Sequence, residues 1–207
     1  MRIVPKSVLA ANITEQMSCG IKCLAAVSHC FNKDFPAGLL ESLAKMPYLW
    51  ITDLGSAALE LGFKEPIVYT YSQTVFEPEW LSWPQTKFLK TLAYAKSRSE
   101  EVNRARKSVI HFIDLGGRLR RGIVTTEIIK CYLKQKQPII MAVASNVIHK
   151  TTMPPDGHYI ALIGHDNKDF IILNPGKTVI KEEFINQNLI LYALYQWGGW
   201  ALTFETR

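Results

Sequence analysis

The stretch Asp156-Gly157-His158-Tyr159-Ile160-Ala161-Leu162-Ile163-Gly164 is followed by His165-Asp166-Asn167-Lys168-Asp169 and then by Phe170-Ile171-Ile172-Leu173-Asn174-Pro175. Two apolar runs flanking a polar turn predict two strands joined as a hairpin. Each run carries one polar group at its outer end, His158 at the start of the first and Asn174 at the end of the second. A hairpin centred on Asp166 pairs residues whose numbers sum to 332, and His158 and Asn174 satisfy that sum. Directly opposed residues share a sheet face, with Cβ atoms about 4.5–5.5 Å apart. A carboxamide oxygen in that place accepts an imidazole N–H and fixes the tautomer, leaving the other ring nitrogen for a nucleophile. A slip of one residue would put the two side chains on opposite faces.

The nucleophile is sought where a helix begins. Gln16-Met17-Ser18-Cys19-Gly20-Ile21-Lys22-Cys23-Leu24 opens a segment in which Ile21, Leu24, Ala25, Val27, Cys30 and Phe31 recur at helical spacing. Ser18 is the expected N-cap. Cys19 then lies in the first turn, where the unpaired N–H groups favour negative charge and are expected to lower its thiol pKa. Gly20 is expected to leave room for an incoming carbonyl. Cys23, Cys30 and Cys131 read as core residues. The CxxxC spacing of Cys19 and Cys23 is neither a zinc knuckle nor a thioredoxin motif. A chain of 207 residues needs no disulfide staple, so reduced cysteines and a cytoplasmic setting are expected.

Outward from these motifs, helices are predicted through Leu39–Leu43, over 52–62 with Thr52 or Asp53 as cap, over 85–113, and from Thr125 through Leu133. Strands are predicted over 66–71 and 139–144 and, in the tail, over Leu189–Tyr195 and Trp200–Phe204. Residues 73–84 read as a packed loop. Helices precede strands, which is the α+β order rather than alternating β-α-β. No apolar run reaches the roughly 18–20 residues of a membrane span, and no secretory signal is evident.

The net charge of +6 is local. Between Gln85 and Arg121, ten Lys/Arg stand against three acids, so this segment carries +7 and the rest of the chain −1. Such a run reads first as a solvated helical face, and secondly as a surface for an acidic partner. No nucleic-acid motif accompanies it, and no nucleic-acid partner is expected. No HExxH, Gly-rich phosphate loop or zinc-spaced Cys/His cluster is present, so neither metal nor cofactor is implied. Trp80, Trp83, Trp197 and Trp200 read as packing residues.

Taken in order, these pieces resemble the papain-like cysteine peptidases related to the bacteriocin-processing, double-glycine-leader peptidases, in their stand-alone bacterial form. The matching pieces are Ser18-Cys19-Gly20-x-x-Cys23-Leu24-Ala25, Asp53-Leu54-Gly55 through Gly62-Phe63, Gln137-Pro138-Ile139-Ile140, Gly157-His158-Tyr159 through Gly164, and Ile172-Leu173-Asn174-Pro175. The resemblance implies one α+β domain over 1–207, a helical half packed on an antiparallel sheet. The segment 73–125 departs from the pattern: it is longer than a minimal peptidase of this kind needs and reads as an inserted helical, basic cap. It implies Cys19 as nucleophile, His158 as general base and acid, and Asn174 as orienter, acting on a peptide or isopeptide-type amide of a peptide or protein substrate. Many relatives carry Asp where Asn174 stands. Their oxyanion glutamine lies further before the cysteine, where this chain has Ile13; Gln16 is the candidate here, with Asn12 in reserve. An acyltransferase on the same triad and a non-catalytic peptide-binding or adaptor module are the alternatives.

Overall fold

The computed structural model describes residues 17–46, 48–176 and 180–205. Gln16 and Asn12 lie outside the described residues. In chain order the elements are α1 (Cys19–Cys30), α2 (Ala37–Ala44), α3 (Ile51–Glu60), β1 (Lys64–Thr70), α4 (Gln85–Tyr94), α5 (Glu100–Asp114), β2 (Arg118–Arg121), α6 (Thr126–Lys134), β3 (Ile139–Ala144), α7 (Ser145–Ile148), β4 (Gly157–His165), β5 (Asp169–Pro175), β6 (Ile180–Asn186), α8 (Gln187–Gln196) and β7 (Ala201–Glu205). The fold is α+β, as expected.

The strands form one sheet in the order β2-β1-β7-β3-β4-β5-β6. Every pairing is antiparallel except β1 with β2, which run parallel at one edge. A parallel pair needs a long crossover, and α4 and α5 supply it. Both faces of the sheet are covered. Ala161, Ile163 and Leu173 join a core with Ile21 and Leu24 of α1, Leu54 of α3, Phe88 of α4 and Phe112 of α5. Ile160, Leu162 and Ile172 face the other way, against Ile129 of α6 and Ile190 and Leu194 of α8. Burial on two sides explains why β3, Ile139-Ile140-Met141-Ala142-Val143-Ala144, is apolar at every position.

Four expectations are corrected. The segment 85–113 is two helices, because Ser99 starts a new one by accepting the Val102 N–H on its hydroxyl. Residues 189–195 are helical in α8, not a strand. Ile190, Ala193 and Leu194 recur at 3–4 spacing on its buried side, and Asn186 caps it by accepting the Asn188 N–H. The N-cap of α3 is Trp50, with Asp53 one turn inside accepting the Trp50 N–H at 2.8 Å. The strands β2 and β6 were not anticipated: Arg118–Arg121 is cationic, and Ile180–Asn186 lacks clean alternation.

The basic segment is only partly a solvated face. Arg106 is buried and donates to Val75 O at 2.9 Å. Arg121 donates to both Trp80 O and Trp83 O at 2.7 Å. Arg118 pairs with Glu65 at 3.0 Å. These cations brace the loop over 73–84 and the sheet edge. No helix of the described residues is long and apolar enough to cross a membrane.

Candidate active site

The hairpin β4–β5 sets the positions of His158 and Asn174. Near the turn, His165 pairs with Phe170 and Gly164 with Ile171. Beyond a bulge, Leu162 pairs with Ile172 and Ala161 with Leu173. The bulge holds Ile163 as an extra residue on β4. The predicted register is therefore corrected: His158 and Asn174 are two residues out of direct opposition. The bulge decides their face. The register at the turn, continued, would have put them on opposite sides of the sheet, and the one-residue shift returns them to the same side. They are diagonal neighbours, still within reach of long side chains.

That reach is used. His158 Nε2 and Asn174 Oδ1 are 2.8 Å apart, both residues being buried. Asn174 Nδ2 donates to Glu183 Oε1 of β6 at 3.1 Å. The carboxylate can only accept, so the amide must turn its oxygen to the ring, and the ring must carry its proton on Nε2. The lone pair is then on Nδ1. Burial is the main influence on His158 and holds its pKa below the ordinary value; the Asn174 hydrogen bond opposes this, and His149 reinforces it. The His149 ring lies with its centroid 5.1 Å from that of His158.

Cys19 opens α1 as expected, and Ser18 caps it by accepting the Ile21 N–H at 3.4 Å. Burial dominates its thiol and pushes the pKa up, against the lowering influence of the Tyr159, Gly20 and Cys19 amides and of Lys22. The expected acidic thiol is thus corrected. The helix-start N–H groups act in the predicted direction, but the partial burial of this half-exposed cysteine outweighs them. The Tyr159 amide at the sulfur places Cys19 beside the chain neighbour of His158. The groups the structure brings together are His158 with Asn174, and Cys19 with the first residues of β4.

Gly20 has a different use from the one expected. A Cβ there would meet Leu49 and Tyr159 side chains at 3.0 Å, so the missing side chain serves close packing of α1. Tyr159 in turn donates to Leu49 O at 2.8 Å. Lys22, a buried lysine one turn beyond Cys19, donates to Gly176 O at 2.8 Å. It ties the cysteine's helix to the chain just past Asn174. Glu183 and Lys22 were missed in the sequence. Glu183 sits in a strand that was not foreseen, and Lys22 reads as a surface lysine until the helix is packed. His165, in the turn, is remote from the pair at the other end of β4. Among the described residues no group of His, Cys, Asp and Glu could hold a metal ion.

No protein-family model matches this chain, and no curated protein matches it. Among solved structures, the chain is similar to the crystal structure of a candidate C39-like peptidase from Bacillus anthracis, at 16% sequence identity and a TM-score of 0.31. The likeness covers 40% of this chain and 48% of that one, so it spans about half the length of its neighbour.

Proposed function

We propose that the chain is a papain-like cysteine peptidase or amidohydrolase in which Cys19 attacks a peptide or isopeptide-type carbonyl. The observation that carries this reading is the buried His158–Asn174 hydrogen bond, made at the strand end whose next amide reaches the Cys19 sulfur. With Nε2 committed to Asn174, Nδ1 is the base. Burial favours the uncharged forms of both thiol and imidazole, so the resting pair is neutral and the proton moves as attack occurs.

In the first half-reaction Cys19 Sγ bonds to the carbonyl carbon while its proton passes to His158 Nδ1. The proposed donors to the developing oxyanion are the Cys19 backbone N–H at the start of α1 and Gln16. The C–N bond then breaks, and the leaving nitrogen takes the proton from Nδ1. Water, deprotonated by Nδ1, resolves the thioester and returns the free thiol. Asn174 keeps the ring in one tautomer throughout, and Glu183 keeps Asn174 from turning.

Peptide-library digestion by wild type and Cys19→Ala tests this directly. Cleavage by the wild type alone supports the reading, and equal turnover by both ends it. The same digestion with an added primary amine separates hydrolysis from transfer, because a product carrying the amine would assign the acyl group to an acceptor other than water.

A further inference from the structure

A cleft of about 580 Å³ lies between Trp50, the segment 71–75, α5 and α8, within the size range of small-molecule pockets. Five aromatic residues line it: Trp50, Tyr71, Tyr195, Trp197 and Trp200. Glu101, exposed at the start of α5, is the one ionisable acid or base among the lining residues apart from the tyrosine hydroxyls. It is in no ion pair among the described residues. This carboxylate stands out against the local excess of cations on α4 and α5.

Two walls of the cleft are tied to the chain that carries the candidate site. Trp197 packs so closely on Gly157 that a Cβ there would come within 2.7 Å of its ring. Gly157 precedes His158. On the other side Trp50 follows Leu49, whose carbonyl accepts the Tyr159 hydroxyl and whose side chain touches Gly20. Gly198, which lines the cleft, and Gly199 after it are both at positive φ, 88° and 69°, and turn the chain between α8 and β7. Trp197 is 36% exposed, so it is a wall of the cleft and not simply core packing as the sequence suggested.

We infer that this cleft is a specificity pocket for a cationic side chain of the substrate, lysine or arginine, held over the aromatic faces with its charge toward Glu101. Ring faces attract cations through their quadrupole, and the attraction grows as water is excluded. The aliphatic stem of lysine or arginine fills apolar space while its head reaches the carboxylate. An acidic substrate side chain finds no cation in this lining to receive it. The inference rests on the peptidase reading only for its consequence, selection of the bond cut; binding itself needs no thiol.

Cys19→Ala protein, titrated with acetylated and amidated tetrapeptides Ala-Ala-X-Ala and followed by tryptophan fluorescence, tests the pocket without turnover. With X as lysine, saturable binding is expected. Norleucine in its place should bind roughly tenfold more weakly. Glu101→Gln should weaken the lysine peptide roughly 2- to 5-fold and leave the norleucine peptide unchanged. Norleucine, phenylalanine or glutamate peptides binding as tightly as lysine would overturn the inference. So would an unchanged lysine affinity in Glu101→Gln, or no binding at all. Lysine binding here, with no cleavage of any library peptide by wild type, would leave the pocket standing and sink the peptidase reading instead.

Discussion

His158 and Asn174 meet through a 2.8 Å hydrogen bond although the strands carrying them are not in register at those two residues. The bulge at Ile163 gives them a common face, and Glu183 turns the amide so that its oxygen meets the ring. On this account Asn174→Ala frees the ring to rotate and lowers turnover by roughly 10²-fold, the scale of a lost general base. Steady-state kinetics check it, with kcat expected to fall more than KM changes.

The charge state of the pair gives a pH test. A thiol raised by burial is less ionised at neutral pH than free cysteine, so in the absence of substrate Cys19 should react more slowly with iodoacetamide. Its rate should still be climbing above the ordinary thiol pKa of about 8.5. Alkylation rates across pH, with the labelled peptide identified by mass spectrometry, check this. A plateau reached well below that pKa would mean an ion pair instead.

Lys22 adds positive charge one turn from the sulfur and holds Gly176 O. Lys22→Met should shift the alkylation profile further upward and lower kcat, while Lys22→Arg should retain most of both. A purely structural lysine would change stability and leave the profile where it was. Urea unfolding of the same proteins separates the two.

Burial of a neutral His158 links stability to acid. Its pKa is lowered on folding, so the unfolded chain takes up the proton first. The contribution is complete above the unfolded value near 6.5 and is lost as pH falls below it toward the folded value. Urea midpoints at pH 7.0 and 5.0 should therefore separate more for the wild type than for His158→Gln.

Gly20 in α1 and Gly55 in α3 each leave little room for a Cβ. At Gly55 a Cβ would come within 2.6 Å of the Phe112 ring. Gly55→Ala should destabilise by roughly 1–3 kcal/mol, and Phe112→Leu should recover part of that loss in the double variant. Thermal unfolding of the four proteins closes the cycle.

How far the sequence spoke can be seen in these same residues. The apolar runs on either side of Asp166 announce β4 and β5, and Ser18-Cys19 announces the start of α1, because turn chemistry and capping are local. The bulge is not announced, since Leu162-Ile163-Gly164 is as apolar as its neighbours. The predicted pairing was wrong by two residues, which preserved the face and hence the pairing of side chains. The run Leu189–Tyr195 has strand-like composition, and packing against β3 decides for helix. The Cys19 thiol was misjudged because a sequence displays the helix start but not the depth at which the sulfur lies. The partner Glu183 and the ring-lined cleft depend on contacts between distant segments, which no local pattern encodes.

The central claim is that His158 drives attack by Cys19. Acylation by p-nitrophenyl acetate, an acyl donor that needs no knowledge of the natural substrate, measures this in wild type and His158→Ala. Nitrophenolate release would be timed at neutral pH, and the acetylated peptide located by mass spectrometry after acid quench. The account predicts a burst with the acetyl group on Cys19, slowed roughly 10²-fold by His158→Ala. Equal rates in the two proteins, or acetylation confined to other residues, would contradict it.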